Sequence, residues 1–295
     1  METLELNQQQ FMVMCVSPEK WQGLETVLSI FSHILFHLKK LASAYNAIRK
    51  DYKISRIGLI QGLVEGSLQT FVFLWSPTLR QLATDLPLGT IGIDKNGEPA
   101  YGLIFGAFMT SAVLGGYVSP ILRKNVSKIV SRNKNDKSNE KFVAHGKDAN
   151  EMDAIPVNVL CSLCYALGSM MLFVPCAVNK NSTYAFSFCL VSFLIYEFIV
   201  GVYVPSEGMI RSIYMPTESM CSTMNMLRII TNVLVAIGVF STTFVPLTFS
   251  FGVLSTMMLF ASVLQLSLVP KDELMNIFRL FTQSKSSLEN KDKQN

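Results

Sequence analysis

RIGLIQGLVEGSLQTFVFLWSPTLR occupies residues 56–80. Between its two arginines stand 23 residues, and their only formal charge is Glu65. Roughly 20 apolar residues at about 1.5 Å each cross the hydrocarbon core of a bilayer, so the stretch reads as a transmembrane helix. Gly58, Gly62 and Gly66 recur at every fourth position, a flat stripe on which another helix packs closely. Gln61, Glu65 and Gln69 form a second stripe, displaced around the helix from the glycines. A carboxylate among lipid tails costs about 3 kcal/mol on insertion scales, so Glu65 is expected to face protein or a wet cavity.

The rest of the chain agrees with a membrane protein. Half of its 295 residues are hydrophobic and 16% are charged, against about 25% charged in soluble domains. Mean hydropathy is +0.36. Further apolar runs predict spans at about 100–121, 155–178, 183–205, 222–242 and 246–269, with the first at 56–79 and Pro77 marking its exit. The expected fold class is therefore an all-α membrane protein, a six-helix transmembrane bundle. Its parts are an N-terminal cytosolic or interfacial segment with a linker (1–54), the bundle (55–270) and a cytosolic tail (271–295).

The connections carry their own signals. Residues 27–38, VLSIFSHILFHL, are too short to span and read as an interfacial amphipathic helix. Residues 80–99 are rich in turn formers. Residues 123–153, with eight Lys/Arg up to Lys147, read as a solvated, disordered loop inside the bundle. PSEGMIRSIYMPTESM, 205–220, reads as a short polar loop holding Glu207, Arg211 and Glu218. Gly102, Gly106 and Thr110 in the second span suggest another close-packing stripe. The fourth span holds the second intramembrane acid, Glu197, beside Tyr196, and Arg228 stands about one turn inside the fifth.

Charge orients the bundle. The segments before span one, between two and three, between four and five, and after six hold 7, 8, 2 and 5 Lys/Arg, and the other side holds three: Arg80, Lys95 and Lys180. Excess Lys/Arg marks cytoplasmic loops, which puts both termini in the cytosol, as an even number of spans requires. No basic segment followed by a cleavage site opens the chain, so no cleaved secretory signal is expected. The plasma membrane is the expected location. Six cysteines show no disulfide framework, and Cys161-Ser-Leu-Cys164 lies within an apolar helix without a second pair to complete a metal site. No metal, cofactor or nucleic acid is expected. No H-E-x-x-H or G-x-S-x-G pattern occurs, so an enzyme is not expected either.

Two long blocks point to a family. IGLIQGLVEGSLQTFVFLWSPTL, from Ile57, resembles the start of the second half of the molybdate-anion transporters, a branch of the major facilitator superfamily. YEFIVGVYVPSEGMIRSIYMPTESMCSTMNMLRI, from Tyr196 to Ile229, is similar to their tenth helix, the loop after it and the start of the eleventh. The resemblance covers about 44–270 and implies half of a major facilitator fold, the seventh to twelfth helices. It makes the spans bearing Glu65 and Glu197 cavity-lining helices.

A secondary transporter, or half of one, moving a small inorganic anion such as molybdate is the reading these residues favour. Gln61, Gln69 and Tyr196 offer donors to an anion and Arg228 offers charge, while Glu65 or Glu197 carries a coupled proton. The partners are then the lipid bilayer and a second six-helix half or a second copy of the chain. The alternative is a truncated or non-transporting half that serves as a membrane scaffold or regulator.

Overall fold

The computed structural model describes residues 52–84, 90–132, 147–179, 184–214, 220–241, 244–270 and 273–275. The expected interfacial helix at 27–38, the basic linker and the tail from 276 lie outside the described residues. Among the described residues, apolar runs bounded by turn-forming clusters become six helices: α1 (Tyr52–Ala83), α2 (Tyr101–Arg132), α3 (Lys147–Ala177), α4 (Ala185–Tyr214), α5 (Met220–Ser241) and α6 (Leu247–Leu266). No strand is formed among the described residues, only an isolated bridge between Ile93 and Pro99 in the turn after α1. The protein is an all-α membrane bundle.

Five of the helices, α1 to α4 and α6, are long and apolar enough to cross a membrane. The fifth expected span, at 222–242, forms α5 over Met220–Ser241, with Thr231–Phe240 as an apolar stretch within it.

Helices run past three expected boundaries. Pro77 does not end α1, which continues to Ala83. A single proline removes one backbone donor and kinks a helix without having to stop it. The disordered loop expected at 123–153 is helical over 123–132 and 147–153, as parts of α2 and α3. Val126 and Val130, one turn apart, pack there with Ile155, Val159 and Val269, a small apolar cluster that holds the ends of α2 and α3 together. The third boundary lies in the expected loop at 205–220, whose first ten residues continue α4 to Tyr214, with Ser206 and Ile210 buried.

α3 lies along α6, α2 along α4, and α3 on α4, while α1 contacts α4, α5 and α6. The α3–α6 seam is built on small polar residues seven apart. Ser162 donates to Ser262 O at 3.0 Å and Ser262 to Ser162 O at 2.8 Å. Ser169 donates to Ser255 O at 2.8 Å and Ser255 to Ser169 O at 2.9 Å. Cys176 reaches Thr248 O at 2.9 Å, one heptad further on. Seven-residue spacing keeps one face toward an antiparallel neighbour, and hydroxyl-to-carbonyl bonds of this kind join helices where lipid offers no hydrophobic drive.

The α2–α4 seam corrects another expectation. Gly102, Gly106 and Thr110 are exposed, and a Cβ on either glycine would meet nothing within 4 Å. α2 instead turns Ser111, Ala112, Gly115 and Ser119 toward α4. A Cβ at Gly115 would stand 2.0 Å from Phe198 O, and one at Gly201 would stand 1.9 Å from Ala112 O. Ser111 donates to Leu194 O at 2.8 Å and Ser119 to Val202 O at 2.7 Å, one on each side of the glycine contact. The second span carries two small-residue stripes, and spacing alone does not say which faces inward. The α1 stripe does pack: Gly62 faces Thr231 of α5 and Gly66 faces Met257 of α6.

The core centres on Phe71. Its ring lies 5.2 Å from Phe193, 4.9 Å from Tyr196 and 6.2 Å from Phe108, which ties α1 to α4 and α2. Phe251 stacks on Phe193 at 5.4 Å and brings in α6.

Candidate functional site

Polar side chains gather at the end of the bundle where α1 and α3 begin and α4 and α6 finish. Arg56 donates to Ser267 Oγ at 2.9 Å, which pins the start of α1 to the end of α6. Gln265 donates to Asn158 Oδ1 at 2.8 Å, and Asn158 donates to the Tyr214 hydroxyl at 3.3 Å, which links α6, α3 and α4. Deeper in, the Tyr165 hydroxyl donates to Glu207 Oε1 at 2.7 Å. Gln61, Tyr165, Glu207, Arg211 and Gln265 line one cavity of about 20 Å³, with isoleucines from α1 and α4 completing its wall.

Helical spacing places these groups. Glu207 and Arg211 are four apart on α4, and Gln61 and Glu65 are four apart on α1, so each pair shares a face. Gln61 donates to Glu65 Oε2 at 3.5 Å. Asn158, Ser162, Tyr165 and Ser169 follow the inward face of α3 at spacings of four, three and four. Both Glu65 and Arg211 lie within electrostatic reach of Glu207.

The structure brings together only part of the expected site. Gln61 is buried, 6% exposed, and lines the cavity; Glu65 is half-buried beside it. Gln69, one turn further along α1, is exposed. Glu197 is 5% exposed, but ten residues separate it from Glu207, about 15 Å along a helix. It shares a side of α4 with Leu194 and Gly201, the residues that touch α2, and does not line the cavity. Tyr196 is fully buried in the aromatic core, and its hydroxyl approaches that of Tyr203 without a hydrogen bond being completed among the described residues. Arg228 is exposed on α5 and is not among the cavity-lining residues.

Sequence reasoning missed Glu207, Arg211, Tyr165, Asn158 and Gln265. For the first two the signal was present: Glu207 and Arg211 stand four apart among Met209, Ile210 and Ile213, a helical pattern that Pro205 masked. The others are uncharged polar residues within apolar spans, recognisable by the same three- and four-residue spacing.

Comparison with known proteins places the chain. A family model described as sugar transporters with 12 transmembrane segments matches residues 36–195. The molybdate-anion transporter of Xenopus tropicalis is 24% identical over 192 residues, which are 64% of this chain and 33% of that relative. The chain thus spans about a third of the length of that curated relative. No solved structure matches it. The family match extends over more than half of the chain, which therefore belongs to this transporter family of the major facilitator superfamily.

Proposed function

We propose that the bundle is one half of a secondary transporter for a small oxyanion of the molybdate type, completed by another six-helix unit or a second copy of the chain. The observation that carries this reading is the cluster of Gln61, Tyr165, Glu207, Arg211 and Gln265 held among apolar spans. Ionisable and polar groups at such positions are costly, and they mark substrate and ion pathways. The similarity to a molybdate-anion transporter supports an oxyanion as substrate.

A cavity of about 20 Å³ takes a water molecule and not a tetrahedral oxyanion. The anion's place is instead on the open side of α1, where Glu65 is half-buried and Gln69 exposed. A second half closing over this side encloses it, as in alternating-access folds whose sites form between repeats. Gln69 and Gln61 donate to the anion, Arg211 and the exposed Arg228 supply charge, and Tyr196 backs the site from the core. Glu65 or Glu197 carries a coupled proton. Molybdate, and tungstate with the same shape, should raise the unfolding temperature of the purified assembly, in the fraction heavier than one chain, in a saturable way, because a ligand that binds only the folded state stabilises it by mass action. Chloride at equal ionic strength should not. No shift with either oxyanion contradicts the substrate assignment.

The charge asymmetry supports an orientation with both termini and the 133–146 connection in the cytosol, and the plasma membrane is the location proposed with it. A tag placed in 133–146 should be protected by intact cells, and one beside Asp94 should be reached from outside. The reverse pattern overturns the orientation.

A further inference from the structure

The cavity between α1, α3, α4 and α6 sets two acceptors against each other. Tyr165 already donates to Glu207 Oε1 at 2.7 Å. Gln61 lines the same cavity, and its Oε1 is buried without a hydrogen-bond partner among the described residues. One hydrogen of the Gln61 amide goes to Glu65 Oε2, and the unmatched atom of the side chain is its oxygen. An ionised Glu207 has no proton to offer it. A buried acceptor left unmatched costs about 1–3 kcal/mol, and a donor entering the cavity removes that cost. At about 20 Å³ the cavity has room for one water, since roughly 10–15 Å³ of this kind of volume suffices.

We propose that this cavity is a proton site: one water binds between Gln61 Oε1 and the Glu207 carboxyl, and Glu207 takes up and releases a proton through it. On uptake, a hydronium in the cavity gives its proton to the Glu207 oxygen that Tyr165 does not engage. An O–H bond forms at the carboxyl, and a neutral water remains. The acid then donates to the water, and the water donates to Gln61 Oε1. Release reverses these steps, and Tyr165 donates to Oε1 throughout. Every facing element contributes. The charged and titratable groups around it are Arg211 and Tyr203 of α4, Glu65 of α1, and Cys161 and Tyr165 of α3, with Gln265 of α6 lining the same cavity. A carboxyl held between Arg211 and an unmatched acceptor is stabilised in both of its states. The assignment rests on the transport reading for its purpose, as the step that couples a proton to the anion, but the binding of the proton is measurable without transport.

Infrared difference spectra of the full chain in lipid, taken between acid and alkaline buffer, read the carboxylic C=O stretch directly. In a chain already carrying Glu65→Gln and Glu197→Gln, the expected result is a band that titrates with pH, disappears in Glu207→Gln and moves to higher frequency in Tyr165→Phe, where one hydrogen bond to the carboxyl is lost. No titrating band, or one unchanged in Glu207→Gln, overturns the proposal. Should Glu207→Gln not fold, Tyr165→Phe and Gln61→Leu decide, and an unshifted band in both overturns it equally. A normal band in a chain that oxyanions fail to stabilise contradicts the substrate reading alone. Oxyanion stabilisation without the band contradicts the proton site alone.

Discussion

Gly201→Ala is expected to part α2 from α4 and to cost the bundle roughly 2–5 kcal/mol. The added Cβ would stand 1.9 Å from Ala112 O, 2.8 Å from Ala112 C and 2.9 Å from Gly116 N, all of them backbone atoms with no rotamer to yield. Moving the helices apart also stretches the Ser111–Leu194 and Ser119–Val202 bonds that flank the contact. Overpacking accounts for about 1–3 kcal/mol of this, and each interhelical bond for about 0.6 kcal/mol or more. Gly106→Ala is the matched control, because a Cβ there meets nothing within 4 Å. Unfolding in a denaturing-detergent titration should shift strongly for Gly201→Ala and stay in place for Gly106→Ala. Equal curves would mean that the α2–α4 contact is not the close approach described here.

That pair of glycines also shows where the sequence was legible and where it was not. Hydrophobic run length placed the helices, because the thickness of a bilayer sets the length of a span regardless of neighbours. It did not say which stripe of α2 faces inward, since Gly102, Gly106 and Thr110 have the same spacing as Ser111, Gly115 and Ser119. Only the partner helix distinguishes them. Polarity and proline mislead as loop signals at the helix ends. At 205–214 the chain leaves its most apolar stretch yet stays helical to Tyr214, and this puts Glu207 opposite Tyr165. Glu65 is conspicuous as an acid in a span, and Gln61, one turn before it, lines the cavity. Asn158, Tyr165 and Gln265 were passed over because their polarity carries no charge. Glu197, equally conspicuous by composition, lies on the α2 side of α4 and away from the cavity, which depends on helix rotation and not on residue type.

Glu65→Gln and Glu197→Gln are expected to lower anion transport by roughly tenfold or more, about 1.4 kcal/mol or more in the limiting step, while leaving the amount of folded protein nearly unchanged. Each change keeps the size of the side chain and removes its ability to exchange a proton. At position 65 the amide oxygen still accepts from Gln61, so the local packing survives. At position 197 a neutral amide costs no more to bury than a carboxylate does. Unchanged transport in both variants would return these acids to a structural role and leave coupling to Glu207 alone.

The claim on which the account turns is that this bundle is a half that works only when its polar side is covered. Uptake of radiolabelled molybdate into proteoliposomes, made from detergent fractions whose particle mass has been measured, tests it most directly. Uptake is expected from fractions heavier than one chain, lost in Glu65→Gln, and none from the single-chain fraction. Robust uptake by the proven single chain, or no uptake from any heavier assembly, would contradict it.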